Sequence, residues 1–575
     1  MSIIYNYACY INYTIRNIYD KRGETIMERD TIMYNLFRIL FFIYLVILGF
    51  SSLLMIMGYD QLNFHYISFQ MTEWGKLPYR DVYDIQYYGI YLYHFLIQKL
   101  FGYSDLGFRI FDLLNFIFAC LSLYFFLRKL VDYIDPTRIY LILILFTASY
   151  YGLGWWWTGQ REIFQLPYVL WSFYFYKKAS DDGKWYNPLI SGLLSGFAFF
   201  IKPFVGLYLP LFVIIHFIFN YPYPNPFQRR IKIAVLSGIG FLIMVVSFTL
   251  YLQLQGILSS FLNDSLKLAV EFKKIGFPFL TNLYFAIFRF DFDINIFYIL
   301  IYKIFYAIPI IISIIYILIK FFLKEIRPNF PIIFLFLISL LLIIIQKNGN
   351  VVNHHIPLVC FKSIITVLFF YDCFELIINF LLKKGHINAS MKNVLLKGIL
   401  LNTVIFLSVP SFLFGFDEYT RKYITGKISL RQLQSIKYPL QEEEDMIVQY
   451  INNRSHIDRN KDEILNFNFS LYIPYHSRVK TFSKFINNGF FYMIPDDSEF
   501  YKRLVTEFLH GINKKNPAII IAHKNDAAWA KKTCFNKWTT SYNELLKLGN
   551  MKNLIQLRYK KAIETESLVV FQLIK

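Results

Sequence analysis

Apolar runs of about 20 residues, each long enough to cross a ~30 Å hydrocarbon layer, recur along the chain from residue 37 to residue 416. Of 575 residues, 56% are hydrophobic and 20% aromatic. A soluble domain could not hide that much apolar side chain, since apolar residues already form roughly half of an ordinary globular chain. The chain is therefore expected to be a polytopic α-helical membrane protein. The runs fall at 37–57, 110–127, 139–157, 163–176, 188–219, 233–252, 296–319, 331–345, 356–382 and 398–416. The fifth is broken by Lys202-Pro203. Proline stops a helix and lysine is costly at mid-membrane, so this run reads as two half-spanning helices, for about eleven membrane segments in all.

The formal net charge of +20 has to be located before it is interpreted. No nucleic-acid-binding motif accompanies it, so no nucleic-acid partner is expected. Much of it lies in short loops such as Arg128-Lys129, Lys177-Lys178, Arg229-Arg230 and Lys383-Lys384, the pattern of a positive-inside bias. Threaded by that rule, residues 1–36 form a cytoplasmic N-terminal segment, 37–416 the membrane domain and 417–575 a small outer domain. In the tail, QEEEDMIVQYINNR reads as an amphipathic helix, and PAIIIAHKND and SLVVFQLIK read as strands. The outer domain is expected to be α/β. The N-terminus lacks the short apolar core of a cleavable signal, and Met27 or Met33 are alternative starts to Met1. The five cysteines show no CxxC spacing. Neither a disulfide framework nor a zinc site is indicated.

The longest early loop, 58–109, faces the outer side in this threading. Its stretch 87–101 is short and tyrosine-rich, and reads as a helix lying at the interface. Four polar clusters share that side: Asp60 with Arg80-Asp81-Val82-Tyr83-Asp84, then Gln160-Arg161-Glu162, Lys202, and His354-His355. Scattered structural polar residues would divide between both faces, so the convergence points to a site. The bland alternatives are that Arg161 and Glu162 pair with each other, that Lys202 snorkels to the interface, and that the histidines cap a helix. No HExxH, GxSxG or Walker motif is present. No cofactor is indicated, and a divalent metal, though compatible with a carboxylate site, has no motif behind it.

The run GKLPYRDVYDIQYYGIYLYHFLIQKLFGYSDLGFRI resembles the first outer loop of the GT-C membrane glycosyltransferases, in particular the protein mannosyltransferase and aminoarabinose-transferase-like group. SGFAFFIKPFVGLYLP is similar to that group's G-x-A-x-x-x-K-P hairpin, and KNGNVVNHHIPLV to its late loop. The resemblance implies transfer of a sugar from a polyprenyl-phosphate donor to a glycan, lipid or protein acceptor on the outer face of a bacterial inner membrane, usually with inversion. It places the catalytic acid at Asp60, which would take the acceptor proton as the oxygen attacks the anomeric carbon. Lys202, Arg161 and His355 would meet the departing phosphate, with Glu162, His354, Arg80, Asp84, Gln86 and Tyr87 completing the substrate site. Two departures stand out. Asp60-Gln61 replaces the Asp-Glu of protein mannosyltransferases, and Gln86-Tyr87-Tyr88 stands where many relatives have a lysine or a proline pair. The alternative from another class is a transporter or flippase for a lipid-linked sugar, but the inverted repeats typical of transporters are not evident.

Overall fold

In a computed structural model, residues 26–574 are described except 131–133, 155–156, 221, 275–278, 289–295, 325–328, 347–351, 388–390, 416–439, 454–456, 460, 483, 490, 492–493, 495–497 and 526–539. The start of the N-terminal segment, Trp155-Trp156, the expected domain boundary at 416–417, and Cys9 and Cys534 lie outside the described residues.

Each apolar run falls largely on helix. The first is α1 (Ile26–Ser52). The outer loop supplies α2 (Tyr59–Trp74) and α3 (Tyr88–Phe101). Then come α4 (Asp105–Leu130), α5 (Pro136–Tyr151), α6 (Arg161–Asp182) and α7 (Tyr186–Ile201). A single turn, Pro203–Gly206, leads to α8 (Tyr208–Phe219) and α9 (Phe227–Leu254). Two short helices, α10 (Leu266–Lys274) and α11 (Phe279–Phe288), precede α12 (Ile296–Phe322), α13 (Phe330–Ile345), α14 (Ile356–Lys383) and α15 (Lys392–Gly415). Among the described residues, four helices are long and apolar enough to cross a membrane by length and composition: the α1 stretch Thr31–Ser52, α4, α9 and α14. Their outward faces carry large apolar side chains, such as Phe42, Phe50, Leu242 and Leu250. That exposure is the expected surface of a chain whose solvent is lipid rather than water.

Small residues let α7 and α9 approach closely. Gly192 and Gly196, in a G-x-x-x-G spacing, face α9, and Gly240 faces α7 in return. A Cβ added at Gly192 would lie 2.0 Å from the Ser237 carbonyl oxygen, and one at Gly240 would lie 2.2 Å from that of Leu189. Such contact takes the place of a hydrophobic driving force, which is absent between helices in lipid.

The tail folds as expected in class and more fully than its sequence signals suggest. A five-stranded mixed sheet has the order β2-β1-β3-β5-β4. Its strands are β1 (Glu463–Phe467), β2 (Lys480–Thr481), β3 (Ile519–His523), β4 (Tyr559–Glu564) and β5 (Leu568–Leu573). β1 is parallel to β2 and β3, while β5 is antiparallel to β3 and β4. The amphipathic segment is the helix Gln441–Asn453. This unit sits on the loop 58–109. Tyr66 Oη donates to the Val479 carbonyl (2.7 Å), Lys76 Nζ to that of Thr481 (3.1 Å), and the Tyr83 amide to that of Lys484 (2.9 Å). The Tyr83 ring is buried in the same apolar cluster as Phe485 and Phe508 of the tail.

Candidate active site

The first helix ends at Ser52, earlier than the apolar run that continues to Met57. Asp60 therefore does not close that helix; it opens the next one, in the first turn of α2. Gly58 is the N-cap, and the Gln61 side-chain oxygen accepts from its amide, the one half of a capping box that a glycine allows. The Gln61 side-chain nitrogen donates to the carbonyl of Thr158, in the loop that leads into α6. One amide thus ties the turn bearing Asp60 to the turn bearing Arg161.

A second tie was not expected from the sequence. Arg109, fully buried in α4, donates to the carbonyl of Ile56, to Thr158 Oγ1 at 3.1 Å and to the Thr158 carbonyl at 3.4 Å. Its charge is balanced by buried Asp112, 3.5 Å away. Asp112 accepts from Tyr150 at 2.8 Å, and the Tyr150 hydroxyl accepts from the Gly159 amide at 2.8 Å. Gly159 has a φ of +70°, and a Cβ there would meet Phe108 at 2.7 Å, so the turn before α6 needs a residue without one. Arg109 clamps the segments ahead of Asp60 and of Arg161 to one point. In the sequence its only signal was its place at the end of the quoted loop motif.

Around this frame, residues from distant parts of the chain meet. Lys202 lies between α7 and Pro203 with extended backbone (φ −154°, ψ 114°), where proline forbids the helix from continuing. It is 5% exposed, so it does not snorkel, and its ammonium pairs with Glu162 at the first turn of α6. Glu162 therefore pairs with Lys202 and not with Arg161. His354 Nε2 stands 3.9 Å from the same Glu162 oxygen, just before α14. The Arg161 guanidinium is 5.3 Å from the centre of the Phe64 ring of α2. It is 8% exposed, and its Nε has no hydrogen-bond partner among the described residues.

Asp60 is half-buried and, among the described residues, makes no hydrogen bond or ion pair. Burial pushes its carboxyl above the ordinary carboxylate range. Arg161 and Lys202 pull it back, and Glu162 adds to the rise. Asp84 is a second buried carboxyl in the same field. Asn63 Nδ2 donates to it at 3.4 Å and the Ile85 amide at 2.6 Å. Burial raises it to about 6 against the pull of its hydrogen bonds and of Arg161.

The remaining residues named from the sequence make the following contacts. Arg80 is at the surface and pairs with Asp81 at 2.7 Å. His355 is buried, but its Nδ1 meets the Tyr306 hydroxyl at 2.8 Å rather than Glu162. It is the N-cap residue of α14 without a side-chain capping bond. Gln86 is half-buried, and its carbonyl accepts from Tyr79 Oη at 2.7 Å. Tyr87 is the N-cap of α3 and packs edge-on against Phe199 and Phe261. Among the described residues no group of three or more His, Cys, Asp or Glu side chains is placed to hold a metal ion.

Comparison with known proteins follows this geometry. Residues 90–251 match the dolichyl-phosphate-mannose-protein mannosyltransferase family. No curated protein sequence matches. The fold is similar to that of ArnT from Cupriavidus metallidurans bound to undecaprenyl phosphate (TM-score 0.56, 12% identity, covering 93% of this chain and 97% of that one). It is similar to the same protein in the apo state (TM-score 0.54, 14% identity, 93% and 97% covered). It is also similar to the apo oligosaccharyltransferase of Archaeoglobus fulgidus (TM-score 0.50, 11% identity, 87% and 71% covered). The chain thus has the fold of these membrane glycosyltransferases, and its residues 90–251 are similar to the mannosyltransferase family.

Proposed function

We propose that this chain is an integral membrane glycosyltransferase that moves a hexose or pentose from a polyprenyl-phosphate carrier to a glycolipid, polysaccharide or protein acceptor. The observation that carries the reading is the placement of Asp60: a half-buried carboxylate without a bound donor, in the combined field of Arg161 and Lys202. Transfer between oxygens needs a base and cations at the same place. The acceptor hydroxyl oxygen attacks the anomeric carbon while Asp60 takes its proton. The bond from that carbon to the phosphate oxygen breaks, and its electron pair leaves on the polyprenyl phosphate. In-line attack inverts the anomeric configuration.

The cations divide their work differently from the sequence expectation. Lys202 is already compensated by Glu162, so its contribution is a fixed positive end of a pair. Arg161, whose Nε has no hydrogen-bond partner among the described residues, suits a phosphate oxygen better. Asp84, held by Asn63 and the Ile85 amide, would orient the acceptor. The ArnT of similar fold was crystallised with undecaprenyl phosphate, which supports a carrier of that class here. The positive-inside threading supports a site facing outward, and we place the protein in a bacterial inner membrane.

The test is carrier release. Purified protein in nanodiscs, given undecaprenyl-phosphoryl hexoses and pentoses with a lipid or glycan acceptor, should liberate undecaprenyl phosphate as product forms. Movement of the intact lipid across a bilayer with no release would instead establish the transporter alternative.

A further inference from the structure

Gln165 lies one turn into α6 from Arg161. It is fully buried, and neither its side-chain oxygen nor its side-chain nitrogen has a partner among the described residues. At 3.6 residues per turn it projects about 40° round the helix from Arg161, with Glu162 about 100° round on the same side. Gln165 therefore falls on the arc between two residues of the site. A buried amide with no hydrogen bond at either end is destabilising, and native proteins keep few of them.

The neighbouring orphan atoms have a pattern. Arg161 Nε and Gln165 Nε2 can only donate. Glu162 Oε2 and Gln165 Oε1 can accept, and all four atoms are buried and unpartnered among the described residues. Phosphate oxygens would use the donors and leave the acceptors empty. A ring carrying several hydroxyls uses both, because each hydroxyl donates once and accepts twice. We infer that Gln165, with Glu162 and Arg161, forms the subsite that binds the hydroxyls of the transferred sugar, and that Gln165 is a specificity-determining residue. The inference rests on the polyprenyl-phosphate reading above and adds where the sugar is recognised.

The experiment measures binding of two kinds of lipid to the full chain in nanodiscs: bare undecaprenyl phosphate, and a panel of undecaprenyl-phosphoryl sugars. Wild-type protein should prefer at least one sugar-bearing lipid over the bare carrier. Gln165→Met, which keeps the volume and removes both polar atoms, should weaken that lipid by about 10-fold to 100-fold. It should leave the bare carrier within about twofold. Its ligand-free melting temperature should be unchanged or higher, since an unsatisfied group has been removed from the interior. Gln165→Glu keeps the shape and loses the donor; it should show the same selective loss, and serves if the methionine variant does not fold. A variant that keeps the wild-type sugar preference, or weakens both lipids equally, overturns the subsite while leaving the carrier reading intact. Wild-type protein that binds neither kind of lipid overturns the carrier reading, and the subsite with it.

Discussion

Glu162 and Lys202, 40 residues apart in sequence, close a buried ion pair between the start of α6 and the end of α7, and His354 approaches the same carboxylate. The pair joins α6 to the break after α7. It fixes a charge that the apolar surroundings would otherwise expel.

Removing either partner alone should be costly. Glu162→Gln or Lys202→Met should each lower stability by about 3–5 kcal/mol, because each leaves an uncompensated charge in the interior. The double variant should recover much of that loss, since no lone charge remains. Thermal unfolding of the four proteins in one detergent gives the coupling directly. Additive losses would mean that the two side chains do not share an energetic partnership.

Gln61 makes a bond that a glutamate could not. Its oxygen takes the Gly58 amide, a role glutamate would keep, and its nitrogen donates to the Thr158 carbonyl. Gln61→Glu should place an anionic oxygen against that carbonyl and cost about 1–3 kcal/mol. Turnover should fall with it, because the turn bearing Asp60 loses one tie to the turn bearing Arg161. Unchanged melting and turnover in this variant would show that the Arg109 clamp alone holds the two turns.

Asp84 gives a pH signature of definite sign. Its folded-state value, about 6, lies above the ordinary 3.8. The folded protein therefore holds this proton in a window where the unfolded chain has lost it. Stability from Asp84 is present at low pH and declines as pH rises from about 4 to about 6, by up to about 3 kcal/mol. The stability difference between wild type and Asp84→Asn should change across that window and stay level above it. A difference that is constant from pH 4 to 7 would contradict the buried setting of this carboxyl.

Gly192 tests the packing. A methyl at this position has no room against the Ser237 carbonyl, so Gly192→Ala should separate α7 from α9 and destabilise the fold, whereas Gly238→Ala, with open space beside it, should not. Melting temperatures of the two variants make the comparison.

The membrane helices were legible in the sequence because each is an apolar run, and lipid-facing helices need little else. The break at Lys202 was legible because Lys-Pro is costly in an apolar setting. The helix Tyr59–Trp74 was not: it is buried by protein on several sides and mixes Asn63, His65, Gln70 and Glu73 with its aromatics, so no apolar stripe marks it. That is why Asp60 read as an acid of the loop 58–109 and not as the start of a second helix. Arg80 and His355 were read into the site by sequence neighbourhood, yet a turn after Tyr79 (φ 69°) leaves Arg80 with Asp81, and Tyr306 holds His355. Strands β1 and β4 escaped notice because DEILNF and YKKAIE are short and partly charged. The Arg109 clamp and the Gln165 amide were illegible for another reason. Their meaning lies in what they touch or fail to touch, and spacing alone does not report that.

The most direct test of the account is single-turnover transfer by Asp60→Asn beside wild type, using purified protein in nanodiscs and the preferred undecaprenyl-phosphoryl sugar. The account predicts that the variant folds, binds the donor within about twofold of wild type, and transfers the sugar about 10²–10⁴-fold more slowly, the contribution expected of a positioned base. Transfer at more than roughly a tenth of the wild-type rate would contradict it, since no general base could be removed at so small a cost.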